Sequence, residues 1–218
     1  MPPTVTPVLR ALRNPAYPSV MTVGEPSAPP AAFLRALETL RPTEVRPEIV
    51  LEDIPAPRRL APYSGAVGAT VYRGDEELAV GRLIMLFDPD GQRGWEGPFR
   101  LVAYVRAGME PEITSDPLLG PVAWSWLTEA LDAHGAAYAA AGGTVTRAVS
   151  EGFGNKEDDP VTTELELRAS WSPLEEDLSS HAAAWCDLMC MAAGIPPVPA
   201  DVATLPLHPT RRESPKAR

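Results

Sequence analysis

The spacing of apolar residues changes period several times along the chain, and each change marks an element. In "AAFLRALETLRP", Phe33, Leu34, Leu37 and Leu40 fall on one helical face, and Pro42 ends the helix. "VRPEIVLED" alternates instead, Ile49 and Leu51 against Glu48, Val50 and Glu52, and Pro47 suits an edge strand. A proline-rich connector, "IPAPRRLAPYSG", follows. "AVGATVYR" and "ELAVGRLIMLF" flank "GDE" as a hairpin, "DPDG" reads as a type I turn, and "PFRLVAYVRAG" is the next strand.

From Pro117 to Ala141 the period is helical again. Trp124, Leu127, Leu131, His134 and Tyr138 form the predicted buried stripe, Trp126 lies on its flank, and Gly142 and Gly143 stop the helix. "TVTRAVSEG" and "VTTELELRASW" then form an antiparallel pair. The second alternates cleanly: Val161, Thr163, Leu165, Leu167, Ala169 and Trp171 face inward, and Thr162, Glu164, Glu166, Arg168 and Ser170 face outward. "SPLE" opens the last helix with Ser172 as N-cap, Pro173 at the first position and Glu175 closing a capping box; Gly194 and Pro196 end it. The order α-ββββ-α-ββ-α predicts an α+β domain, a single antiparallel sheet of about six strands with three helices over one face.

Composition sets the limits of that domain. Residues 1–29 hold seven prolines and no apolar period, and 196–218 are also proline-rich and basic, so both ends are expected to be disordered around a domain at 30–195. Met21 is an alternative start to Met1. A hydrophobic content of 44% fits a soluble globular chain. No apolar run approaches the roughly 20 residues that cross a bilayer. The N-terminus lacks an apolar signal region, and the chain has only two cysteines, so the expected place is the cytoplasm.

Charge is unevenly spread. The net charge is −10, but the ends carry 6 basic and 3 acidic residues, which leaves 13 basic and 26 acidic between residues 30 and 195, a net −13. Such a domain repels phosphate backbones, so nucleic acid is not an expected partner of the folded part.

Candidate chemistry is sparse. "HAAAWCDLMC" (181–190) gathers both cysteines, a histidine and an aspartate. At about 100° per residue, Cys186 and Cys190 lie roughly 140° and 180° from His181, so the histidine and Cys190 cannot grip one ion. The cysteines are helical neighbours about 5–6 Å apart at Cβ, too far for an unstrained disulfide. They are expected to pack as small hydrophobes beside an apolar arc of Leu174, Leu178, Trp185, Met189, Ala192 and Ala193, with His181 partly buried in that arc. The acids of "GFGNKEDDP" and "FDPDGQRGWEG" match no calcium loop, and no nucleophile elbow, phosphate loop or dinucleotide fingerprint occurs. No catalytic, cofactor-binding or metal-binding residue is assigned.

The stretches "AAFLRALETLRPTEVRPEIVLEDIPAPRRLAPYSGAV", "DGQRGWEGPFRLVAYVRA", "GTVTRAVSEGFG" and "AWCDLM" resemble an actinobacterial family of uncharacterised proteins, domain of unknown function number three thousand. The likeness runs from about Ala31 to Pro196 and implies no activity or site residue. The element order is also similar to the small acidic chaperones of type III secretion, with one extra strand, an analogy of fold alone. The expected function is a non-catalytic, protein-binding or chaperone-like adaptor whose partner presents a basic surface. Glu164, Glu166, Arg168 and Trp126 are the candidate contact residues. The alternative is an enzyme or small-ligand domain with a carboxylate-lined pocket; an exposed apolar patch favours the first, a deep pocket with convergent Glu, His and Arg the second.

Overall fold

The strand carrying "TTELELRASW" sets the frame of the molecule. Thr163, Leu165, Leu167, Ala169 and Trp171 are buried, while Glu164, Glu166 and Ser170 are half-buried and Thr162 and Arg168 exposed. One side of the sheet therefore packs and the other meets water, as the alternation requires. Val161, predicted inward, lies before the strand begins and is exposed.

A computed structural model describes residues 28–196. The predicted disordered ends and the choice between Met1 and Met21 lie almost wholly outside these residues. The elements are α1 (Ala31–Leu40), β1 (Ile49–Asp53), β2 (Tyr63–Arg73), β3 (Glu76–Phe87), β4 (Phe99–Gly108), α2 (Pro111–Ser115), α3 (Leu119–Ala133), β5 (Tyr138–Ser150), β6 (Thr162–Pro173) and α4 (Ser179–Ala192). The fold is α+β: one antiparallel sheet in the order β1-β2-β3-β4-β6-β5, with four described helices. Residues opposite one another in register repeat the inward row from strand to strand. Val71 faces Ala79, which faces Ala107; Met85 faces Leu101, which faces Trp171. Helices α1, α3 and α4 close over this row.

Helix α4 is buried on most of its circumference. His181, Trp185, Cys186, Leu188, Met189 and Cys190 are all inside, because α4 lies on β3 and β4 with α1 and α3 on its flanks. On α1 the buried positions are Phe33, Ala36 and Leu40; Leu34 and Leu37, predicted to share that face, stay partly exposed. The small Ala36 lets the helix turn by that much and still approach α4.

Two predicted boundaries were wrong for identifiable reasons. Helix α3 ends at Ala133, not at Ala141, and a separate turn of helix, α2, precedes it. Gly135 adopts φ 63°, its N–H donates to the Asp132 carbonyl, and the Ala136 N–H reaches the Leu131 carbonyl at 2.9 Å. This is a Schellman stop, which needs a residue in the left-handed region. "YAAAGG" then runs as the first half of β5, with a register shift between Ala139 and Gly142 and with Gly142 and Gly143 opposite Ser170 and Ala169. Alanine's helix preference is only tenths of a kcal/mol per residue, and pairing with β6 on either side of the register shift outweighs it. His134 is accordingly the C-cap of α3, and Tyr138 belongs to the strand.

The second correction concerns "SPLE". Ser172 is not an N-cap; β6 continues through Pro173, and the buried Ser172 hydroxyl accepts from Arg100 Nη1 at 3.2 Å. Helix α4 begins at Ser179, where the Asp177 carboxylate accepts from the Ser179 N–H at 2.9 Å and from its hydroxyl. Leu174 is consequently exposed and is not part of the helical arc.

Candidate functional site

The stretch 181–190 of α4 belongs to the core. Trp171 Nε1 donates to His181 Nδ1 at 3.1 Å, so that ring nitrogen carries no proton and the imidazole is neutral. Burial pushes His181 down to about 4 from its ordinary value of 6.5, with the Asp177 carboxylate opposing the shift. Cys186 is pushed up to about 12 and Cys190 to about 11, mainly by burial, so both are unreactive thiols near neutrality. Both are free. Among the described residues no group of three His, Cys, Asp or Glu side chains is arranged to hold a metal ion. Cys186→Ala and Cys190→Ala are expected to cost about 1–2 kcal/mol each, as small cavities do, with no change in metal content. Denaturant melts and elemental analysis of the purified variants check this; zinc lost with either thiol would overturn it.

The outward row of β6 is not a bare acidic strip. The Tyr104 hydroxyl donates to Glu166 Oε2 at 2.9 Å, and Arg168 Nη2 lies 2.8 Å from Glu166 Oε1. Arg168 also stacks 5.7 Å from the centre of the Tyr104 ring. Glu164 lies 3.8 Å from Arg106. Cross-strand register places Arg82, Tyr104 and Arg168 in one row and Arg106 beside Glu166. Glu164 and Glu166 are thus each matched by a guanidinium group within the sheet itself.

The exposed apolar surface gathers elsewhere, at the end of the sheet where β6 begins. After Gly108 the chain crosses the start of β6: the Met109 N–H donates to the Thr163 carbonyl at 2.9 Å, and the Thr163 hydroxyl donates to the Met109 carbonyl. Pro111 then opens α2, whose C-terminal end is tied to β5 by Arg147 Nη1, donating to the carbonyls of Thr114 and Asp116 at 3.3 and 2.8 Å. Asp116 Oδ1 accepts from the Leu118 N–H at 2.8 Å and leads the chain into α3. On this segment the side chains of Ile113, Leu118 and Val122 face outward, 46%, 64% and 43% exposed.

These three and Val161 line a groove of about 890 Å³. Leu119, Trp126 and Met191 belong to its lining, and its far walls are the β2–β3 hairpin end and residues 191–194 after α4. Of the 12 large hydrophobic side chains exposed among the described residues, four sit here. Glu76, Glu77, Glu110 and Asp116 add exposed carboxylates with no ion-pair partner among the described residues, and Arg73 is the one arginine of the lining among those residues. Among the described residues the groove lining has no histidine, cysteine or lysine.

Of the four candidate contact residues, the groove brings together Trp126 and Glu164. Trp126 is half-buried, not fully exposed, and Glu166 and Arg168 lie on the open sheet face outside the groove. Sequence reasoning missed Ile113, Leu118 and Val122. Their signal was present in "MEPEITSDPLLGPVAW": Pro111 and Pro117 break the stretch into short turns, which cannot bury every apolar side chain they carry.

No helix of the described residues is long and apolar enough to cross a membrane. No curated protein and no solved structure is significantly similar to the chain. Residues 29–203 match the model of the family described as "Protein of unknown function (DUF3000)", which spans the whole sheet, its helices and the groove. The chain belongs to the DUF3000 family.

Proposed function

We propose that the protein is a non-catalytic protein-binding module, and that its groove receives an apolar segment flanked by basic residues. The observation that supports this reading is the joint placement of Ile113, Leu118, Val122 and Val161, exposed and lining one groove, with Glu76, Glu77, Glu110 and Asp116, which have no ion-pair partner among the described residues. Apolar side chains grouped in this way mark contact surfaces. Those carboxylates repel acidic chains and steer basic ones, while the apolar floor supplies the affinity. Trp126 is the aromatic anchor and Glu164 the edge charge. An enclosed pocket with converging polar groups would favour an active site instead, whereas Glu76, Glu77, Glu110 and Asp116 stand exposed. Two free buried thiols suit a reducing compartment, and the cytoplasm is the place proposed.

Selection of displayed random peptides on the full chain tests the reading. The selected peptides are expected to pair large apolar residues with Arg or Lys, and to bind Leu118→Asp/Val122→Asp at least about tenfold more weakly, a loss of about 1.4 kcal/mol. Both replaced side chains are exposed, so the thermal midpoint should hold. Peptides that bind the double variant as well as the parent chain would overturn the groove as the docking surface.

A further inference from the structure

The groove lies where the sheet forks. From Phe87 back to Ala79, β3 pairs with β4 residue by residue, and the last pair is Ala79 with Ala107. Beyond it the two strands part. β2 and β3 stay together as far as Arg73 and Glu76, but Leu78 is an extra residue in that ladder: Val71 faces Ala79, and Tyr72 faces Glu77. A bulge of this kind bends its strand and increases the twist, and here the bulged strand leaves β4. β4 continues along β6 instead. Gly108 faces Glu164, and the Met109 N–H donates to the Thr163 carbonyl at 2.9 Å. Both branches line the groove, Glu76, Glu77 and Leu78 on one side and Gly108 and Met109 on the other. A methyl group added at Gly108 would meet nothing within 4 Å beyond the flanking residues, so the space beside that branch is open.

Among the described residues, the main chain of Glu76–Leu78 has no strand partner on its β4 side. An unpaired edge of this sort is a template for another strand. Charge decides which strand it accepts. Glu76 and Glu77 stand exposed on the edge, and Glu110, Asp116 and Glu164 share the lining with Arg73. Two copies of this edge would set like charges opposite one another, which destabilises a strand pair, whereas a basic segment is attracted.

We infer that the groove takes its partner as an added β-strand: an extended segment of alternating large apolar and basic residues, whose main chain pairs with Glu76–Leu78. This rests on the groove being the docking surface, and it specifies the conformation and the residue pattern of what docks there. Successive side chains of a strand point to opposite faces. One row meets Ile113, Leu118 and Val122 on the helical side of the fork, and the other points to the open face of the sheet, where Glu164 stands. So short an edge supplies few main-chain bonds, so the apolar row carries most of the affinity. The edge fixes the register, because a slip of one residue would turn the apolar row to water.

Backbone N-methylation, one position at a time, along the tightest peptide selected on the full chain tests the inference, together with hydrogen exchange on the same chain. Each methyl group removes one main-chain donor and leaves the side chain in place. Affinity is expected to fall at least about tenfold at alternate positions of the stretch that pairs with Glu76–Leu78, and to hold at the positions between. Amides of Glu76–Leu78 that exchange freely in the unbound chain should slow at least about tenfold with the peptide bound. Loss of affinity at successive positions means a helical segment, and tolerance at every position means an extended one held by its side chains alone. Unchanged exchange at Glu76–Leu78 means that any pairing lies elsewhere. Each of these three results overturns the inference, and the docking reading stands as long as Leu118→Asp/Val122→Asp still weakens the peptide. A peptide that binds this double variant as well as the parent chain, or a selection that yields no peptide, overturns the docking reading and the inference with it.

Discussion

Trp171→Ala is expected to lower the free energy of unfolding by about 3–5 kcal/mol, the cost of deleting a large buried aromatic side chain. Trp171 is fully buried in β6 opposite Leu101, beneath the helical layer. Its replacement opens a cavity between sheet and helix and also takes the donor away from His181 Nδ1. The two losses separate by experiment. Trp171→Phe keeps most of the volume and removes the hydrogen bond, so its cost should be nearer 1–2 kcal/mol. Urea unfolding with an unchanged slope would report both. A loss below about 1 kcal/mol for Trp171→Ala would mean that sheet and helix re-close around the gap, and that this indole is not what fixes α4 on β4.

That core was legible because its signals are redundant. In β6 strict alternation, β-branched and aromatic content and register all agree, so the inward row was readable from "TTELELRASW" alone. The four strands before α2 were legible for the same reason, helped by the "GDE" and "DPDG" turns. Failures came where one local signal contradicted a distant one. "YAAAGG" has helical composition, and only its pairing with Ser170 and Ala169 of β6 makes it a strand. "SPLE" has the letters of a capping box, but Ser172 is taken by Arg100, a residue 72 positions away. The groove was the least legible part. Its walls come from the β2–β3 hairpin, α2, α3, the start of β6 and the end of α4, five places that only the sheet order brings together. Trp126 and Glu164 were picked out for their residue types, whereas the apolar floor follows from how α2 is strapped to β5 and β6.

Acidification is expected to act on the fold through His181. The ring is 1% exposed, accepts from Trp171, and is held down to about 4 by burial, against an ordinary value of 6.5 in the unfolded chain. The unfolded state therefore binds the proton first, and stability falls as pH drops. The contribution is complete above pH 6.5 and is lost progressively as the pH falls through about 4. A shift of this size corresponds to about 3 kcal/mol. Two other groups act in the same direction: Glu48 is held low by its hydrogen bond to Arg46, and Asp177 by Ser179. Both are near the surface and contribute less. The comparison that isolates the histidine is with His181→Gln, whose side-chain oxygen can still accept from Trp171 but cannot take up a proton. Unfolding free energies of the parent chain should converge on those of the glutamine variant between pH 6.5 and 4, with the difference largest near neutrality. Parallel curves across that range would mean that the imidazole is already charged in the folded protein. The Trp171 bond would then run to a carbonyl or to water, because an imidazolium nitrogen has no lone pair with which to accept it.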